Sequence, residues 1–228
     1  MLSIMQPHFI PWLGYFYLIV KSNNFVILDN VQFDKRSWQQ RNLIFSNNKS
    51  EWLTIPVSSK GKFTQKINEV KIENKSNFQK KHLSKIFHNY KKHEFFDPVY
   101  CMIEKIYNKK HEYLIDLSLD FINSISLYLN FKFKFILASS INIKGSKADL
   151  IYNIIKKFDD NIYISPEGSK SYIQKSTLFN NINVKYLKYT PINYSKDIEF
   201  ISNLSIIDLL FHKGPKGLEF IEKSFYLE

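Results

Sequence analysis

The sequence predicts an α/β fold: a Rossmann-like, open, mainly parallel sheet with helices on both faces, plus a helical insertion and a small β-hairpin. Two observations carry this. Short apolar runs that read as strands, near residues 2–5, 25–29, 133–137, 161–164 and 184–188, alternate with segments of helical periodicity in both halves of the chain. Such alternation argues for parallel strands joined by helical crossovers. The length of 228 residues suits one α/β domain, 1–228, with its insertion at about 74–129, and no repeat or low-complexity linker divides it.

The elements follow in order. Met1 to Met5 reads as a strand. Pro7 and Pro11 then each remove a backbone donor and push the preceding residue toward extended geometry. Helical periodicity runs from Pro11 to Ser22, and Phe25 to Leu28 forms a second strand ending on Asp29-Asn30. Strand, irregular turn, helix, strand is a βαβ unit, whose ligands sit at the carboxyl ends of the strands. Gln6, His8, Asp29 and Gln32 are expected to gather there. Val31 to Ser46 has no clear period and suits a functional loop with a short helix. Glu51 to Val57 and Phe63 to Ile72 read as two strands joined by a polar turn, hence an inserted hairpin.

A helix capped by Asn74 or Ser76 is expected to run to about His93, with Phe78, Leu83, Ile86, Phe87 and Tyr90 on its apolar face. Val99 to Leu129 is helical with a break near 108–112. Gly145-Ser146 introduces a helix over Lys147 to Phe158. Tyr172 to Phe179 is a weaker helix, and Leu204 to His212 is one stopped by Gly214-Pro215.

Several blocks resemble a known family. They are Gln6-Pro7-x-Phe9-x-Pro11-Trp12-x-Gly14-Tyr15-Phe16, then Asp29-x-Val31-Gln32-Phe33-x-Lys35-Arg36-Ser37-Trp38-x-x-Arg41-Asn42. Trp52 to Val57, Lys81-His82, Ser139-Ser140, Gly145 to Leu150 and Leu204 to Phe211 agree with them. Together they are similar to the WbqC-like family. That resemblance implies a place in bacterial O-antigen or related surface-polysaccharide biosynthesis, and a glycine transferase role. Pro11-Trp12-Leu13-Gly14-Tyr15 also looks like the HxGH turn of nucleotidylyltransferases, with Trp12 and Tyr15 in place of its histidines. The likeness implies a related architecture. It puts nucleotidyl-transfer chemistry in doubt, because neither ring carries a proton at neutral pH as histidine does.

Net charge is +11, almost entirely from lysine. The functional reading is attraction to an anion: a nucleotide, a sugar nucleotide, a phospholipid-linked sugar or RNA. The plain alternative is AT-biased composition, and no arginine-rich stripe marks a nucleic-acid surface. The one cysteine, Cys101, reads as a structural thiol. No signal peptide or membrane span is legible, so the expected location is cytoplasmic, or peripheral at the inner membrane. The histidines and Cys101 do not share ligand spacing, and no metal site is expected.

Candidate catalytic residues are His8, as a general base, and Asp29, as an acceptor from a sugar or ribose hydroxyl. Their plain readings are a structural histidine and a turn cap. Gln6 and Gln32 are amides able to orient hydroxyls or a carboxylate. Lys35, Arg36 and Arg41 form a cationic set beside Trp38 and Asn42. Where lysine is the default, arginine answers a bidentate demand; Arg41 is the preferred anion ligand, with a salt bridge as its alternative. Ser139, Ser140 and Lys147 offer a second anion site at a helix start. Ser165, Gly168 and Tyr172 are candidates for the acceptor side. Trp12 and Tyr15 complete the binding set. Three functions follow. The first is a transferase acylating an amino-sugar with glycine or a similar small acyl group. It would draw on ATP or an activated acyl donor, including a tRNA-linked one. The second is a sugar-nucleotide or lipid-linked-glycan binding protein without turnover. The third is an RNA-binding protein.

Overall fold

The first strand, β1 (Leu2–Met5), is buried along its whole length, as a strand covered on both faces must be. The computed structural model describes residues 1–195 and 200–228. After β1 the chain crosses through α1 (Leu13–Lys21) into β2 (Asn24–Ile27), which pairs parallel with β1 from Leu2↔Asn24 to Met5↔Ile27. The antiparallel pair β3 (Arg41–Ser46) and β4 (Lys49–Thr54) forms a separate two-stranded sheet. Three helices follow: α2 (Phe78–Tyr90), α3 (Phe96–Asn108) and α4 (Leu114–Tyr128). The main sheet resumes with β5 (Ile136–Leu137), α5 (Lys147–Phe158), β6 (Ile162–Pro166), α6 (Lys170–Gln174) and β7 (Asn183–Tyr189). It closes with α7 (Ile206–Lys213), α8 (Gly217–Ser224) and β8 (Phe225–Leu227).

The six strands stand in the order β5-β2-β1-β6-β7-β8, all parallel neighbours except β7 and β8, which are antiparallel. The expected α/β class holds. Side chains alternate along the strands, and two buried clusters result. Leu2, Ile4, Val26 and Leu28 pack under Leu150, Ile151 and Ile154 of α5. Met5, Phe25 and Ile27 face the other way, into a larger cluster with α1, α2, α3, α4 and α7.

The hairpin exists, but one of its two strands is not the expected one. Its first strand, Arg41–Ser46, lies in the stretch expected to be loop and short helix, and its second is the expected run near 51–57. Phe63 to Ile72 is not a strand: Ile67–Glu69 is a 3₁₀ turn. Ile67, Val70 and Ile72 are buried while Phe63 is exposed, and the backbone bonds of the stretch go to scattered segments. Phe33 N–H donates to Gln65 O, Ile67 N–H to Val31 O and Leu114 N–H to Val70 O. No single neighbouring strand runs beside it. The strand expected over 133–137 shrinks to two residues. Neither Asn74 nor Ser76 caps α2; Asn77 precedes it at φ 51 without a side-chain cap bond.

Candidate functional site

The turn after β1 divides two hollows, and its own geometry is demanding. Ile10 is fully buried at φ 41, a region that β-branched residues adopt only under strain. A turn without regular structure must find partners for each backbone group. Asn42 supplies two, its Nδ2 donating to Ile10 O at 2.7 Å and to Phe9 O at 3.2 Å. Phe9 N–H donates to Trp38 O at 3.0 Å, and Ile206 N–H to Pro11 O at 2.9 Å. Hairpin, loop and α7 thus converge on seven residues around His8.

On one side lies a cleft of about 930 Å³ at the carboxyl ends of the sheet. Gln6 follows β1, Asn30 and Gln32 follow β2, Tyr172 comes from α6 after β6, and Gly145-Ser146-Lys147 opens α5. The crossover α1 packs on one face of the sheet and α5 on the other, so the gap between β1 and β6 is a topological switch point. Gly145 sits at φ +130, where an added Cβ would meet Leu150 N at 2.9 Å; glycine lets the chain turn tightly onto the start of α5. The N–H groups of a helix's first turn and its dipole favour an anion, and Lys66 and Lys147 line the same cleft. Gln6 Oε1 accepts from Gln39 Nε2 at 2.8 Å. Asn30 Oδ1 is buried without a partner among the described residues.

On the other side is a hollow of about 340 Å³ lined by His8, Trp12, Trp38, Asn42 and Asn203. Burial lowers the His8 imidazole to about 4. Part of the residue reaches the hollow. The ring is neutral at pH 7 and can accept a proton. Its neighbour Tyr15, with ring centroids 5.5 Å apart, is fully buried, and burial pushes the phenol far above its usual range. Tyr15 therefore supports the His8 ring and does not titrate.

The remaining candidates divide. Gln6, Gln32, Lys147 and Tyr172 share the larger cleft, while His8, Trp12, Trp38 and Asn42 share the smaller hollow. Asn42 spends its amide on the turn. Asp29 is 1% exposed; its Oδ1 accepts from Ser139 N–H at 2.9 Å and its Oδ2 from Asn68 Nδ2 at 3.2 Å. It lies beneath the surface and ties three segments together. Ser140 Oγ donates to Leu137 O, and Ser165 is fully buried, bonded to Tyr163 Oη and Ser169 Oγ. Gly168 lies in an adjoining 3₁₀ turn with open space about its Cα. Lys35 and Arg36 are exposed on the loop held by the Gln39 and Gln40 amides. Arg41 stacks on Trp52, its guanidinium carbon 4.0 Å from the ring centroid. Asn30, Lys66 and Asn203 line the hollows without having been anticipated. Asn30 could have been read from its place at a strand end; Lys66 is lost among many lysines, and Asn203 is far away in sequence.

The model of the WbqC-like protein family matches residues 6–220, and the chain belongs to that family. It is similar to "Uncharacterized protein Rv1507c" of Mycobacterium tuberculosis, at 29% identity over 223 residues covering 96% of each chain. No solved structure matches. No helix among the described residues is long and apolar enough to cross a membrane.

Proposed function

We propose that this member of the WbqC-like family is a transferase of bacterial surface-polysaccharide biosynthesis, acylating an amino-sugar with glycine or a similar small acyl group. The observation that carries the reading is the pair Gln6 and His8, two residues apart on one braced turn, each facing a different hollow. The larger cleft, with an α5 amino end and two lysines, suits the anionic part of an activated donor. Its acyl arm has to pass the turn between Gln6 and His8 to meet, in the smaller hollow, an acceptor amine beside a neutral imidazole.

The step balances as an acyl transfer. The amine nitrogen attacks the acyl carbon, a C–N bond forms, and the bond to the leaving group breaks. The proton shed by nitrogen passes to an imidazole nitrogen of His8. A ring with a lowered pKa is a weak base, but it is unprotonated across the neutral range and the N–H of a tetrahedral adduct is far more acidic than a free amine. ATP, if used, would supply the activation that a free carboxylate lacks.

The test incubates the pure protein with glycine, ATP and an amino-sugar nucleotide, and in a parallel arm with glycyl-tRNA, reading the acceptor's mass. A glycyl increment that His8→Gln abolishes supports the proposal; no increment in either arm overturns it. Saturable ligand binding without turnover would favour the second reading, a glycan-binding protein in the same hollows.

A further inference from the structure

The chain has three tryptophans, and they meet at one place. Trp12 and Trp38 line the smaller hollow. Trp52 packs on Trp38 with ring centroids 5.3 Å apart and planes tilted by 44°. Tryptophan is on average a well-buried residue, yet Trp38 and Trp52 are 43% and 37% exposed.

The hairpin register explains the exposure of Trp52. Asn42, Ile44 and Leu53 point inward and are buried, so Arg41, Leu43 and Trp52 point outward. Arg41 lies diagonally across from Trp52 and stacks on it, while its Nε–H is buried without a partner among the described residues. A stacked guanidinium uses its face and keeps its edge donors, which match the spacing of carboxylate or phosphate oxygens.

We propose that this surface is the acceptor subsite and takes an anionic pyranoside. The sugar's C–H face lies on the Trp38–Trp52 pair, its carboxylate or phosphate meets Arg41, and a ring substituent enters the hollow beside His8 and Asn203. The name "acceptor" rests on the transferase reading; the binding does not. Tilted indole faces suit a puckered ring with polarised C–H bonds. Arg41 repels a purely cationic guest. A single-stranded nucleic acid needs a groove following several phosphates, whereas a hollow of about 340 Å³ is at the small end for ligand sites and holds one ring.

Tryptophan fluorescence of the full chain reads the site directly, since every emitter belongs to it. Three probes separate the contributions: methyl glucuronide, glucose 1-phosphate and the neutral methyl glucoside. Both anionic probes are expected to bind saturably, about tenfold tighter than the neutral one. Trp38→Ala should weaken all three by about tenfold or more. Arg41→Lys should erase most of the preference for the anions while leaving the neutral probe unchanged. Circular dichroism checks each fold; should Trp38→Ala fail to fold, the gentler Trp52→Phe must still weaken the anionic probes by about threefold. No saturable change with any probe, or tighter binding of a uridine decamer than of the sugars, overturns the proposal. So does acyl transfer that Trp38→Ala and Arg41→Lys leave untouched. Sugar binding without any acyl transfer would overturn the transferase reading alone and leave this subsite standing.

Discussion

Asn42→Ala tests whether the turn around His8 is held from outside. The side chain is 2% exposed. It bonds Ile10 O at 2.7 Å and Phe9 O at 3.2 Å, and its Oδ1 accepts Leu43 N–H at 2.8 Å. Alanine leaves two enclosed carbonyl oxygens without donors, each costing about 1–3 kcal/mol, with the longer Phe9 bond at the low end. Water can reach the half-buried Leu43 N–H, so its loss adds little. The sum is about 3 kcal/mol. Ile10 at φ 41 holds about 1–3 kcal/mol of backbone strain, part of which is released once the turn can relax. The net loss expected in urea unfolding is about 2–3 kcal/mol, or about 4–12 °C in melting temperature for a chain of this size. Relaxation moves His8 and Trp12, so sugar binding read by fluorescence should fall by more than the unfolded fraction explains. Asn42→Asp, nearly isosteric but facing both carbonyls with a carboxylate, should be worse. A loss under about 1 kcal/mol with normal binding would refute the idea that Asn42 braces the turn.

His8→Gln should keep probe binding within about twofold while lowering turnover by about 100-fold or more, measured by the glycyl mass assay. Stability should fall as pH drops. Burial lowers His8 and His82 to about 4, below the unfolded value near 6.5, so the unfolded chain binds more protons between those limits. The loss begins near pH 6.5 and grows toward about 4, amounting to about 2–3 kcal/mol for His82 and less for the partly exposed His8. Urea titrations across pH check it, and His82→Gln should flatten the slope. Gly14→Ala would bring a Cβ within 2.4 Å of the Trp12 indole; the ring must shift, costing about 1–3 kcal/mol and weakening the sugar probes. Asp29→Ala removes acceptors from Ser139 N–H and Asn68 and should destabilise by about 3 kcal/mol, detectable in the melting curve.

The βαβ start, the crossover helices and the parallel strands were legible because their signals are local: an apolar run, a period, a proline. Arg41–Ser46 was missed as a strand because its apolar residues, Leu43 to Phe45, are consecutive rather than alternating, and only pairing with β4 makes it extended. Phe63 to Ile72 shows the converse: a two-residue period without a partner strand. In the site, Gln6, His8 and Trp38 could be singled out by chemistry and position. That they face two hollows rather than one rim follows from the strained turn, which no propensity reveals. Asp29 sat at the expected strand end, but its burial depends on Ser139 and Asn68, distant in sequence.

The borders of the main sheet carry a consequence of their own. One margin is β5, two residues long, and the other is β8, three residues long and antiparallel to its neighbour. Each exposes too few unpaired amides to recruit a strand from another molecule. β8 pairs with Leu187–Tyr189, and peeling it away would leave all seven residues of β7 open on that side, a ladder long enough to template intermolecular pairing. A protein so bordered should stay monodisperse when concentrated, and the brief closing strand acts as a guard against fibrous self-assembly.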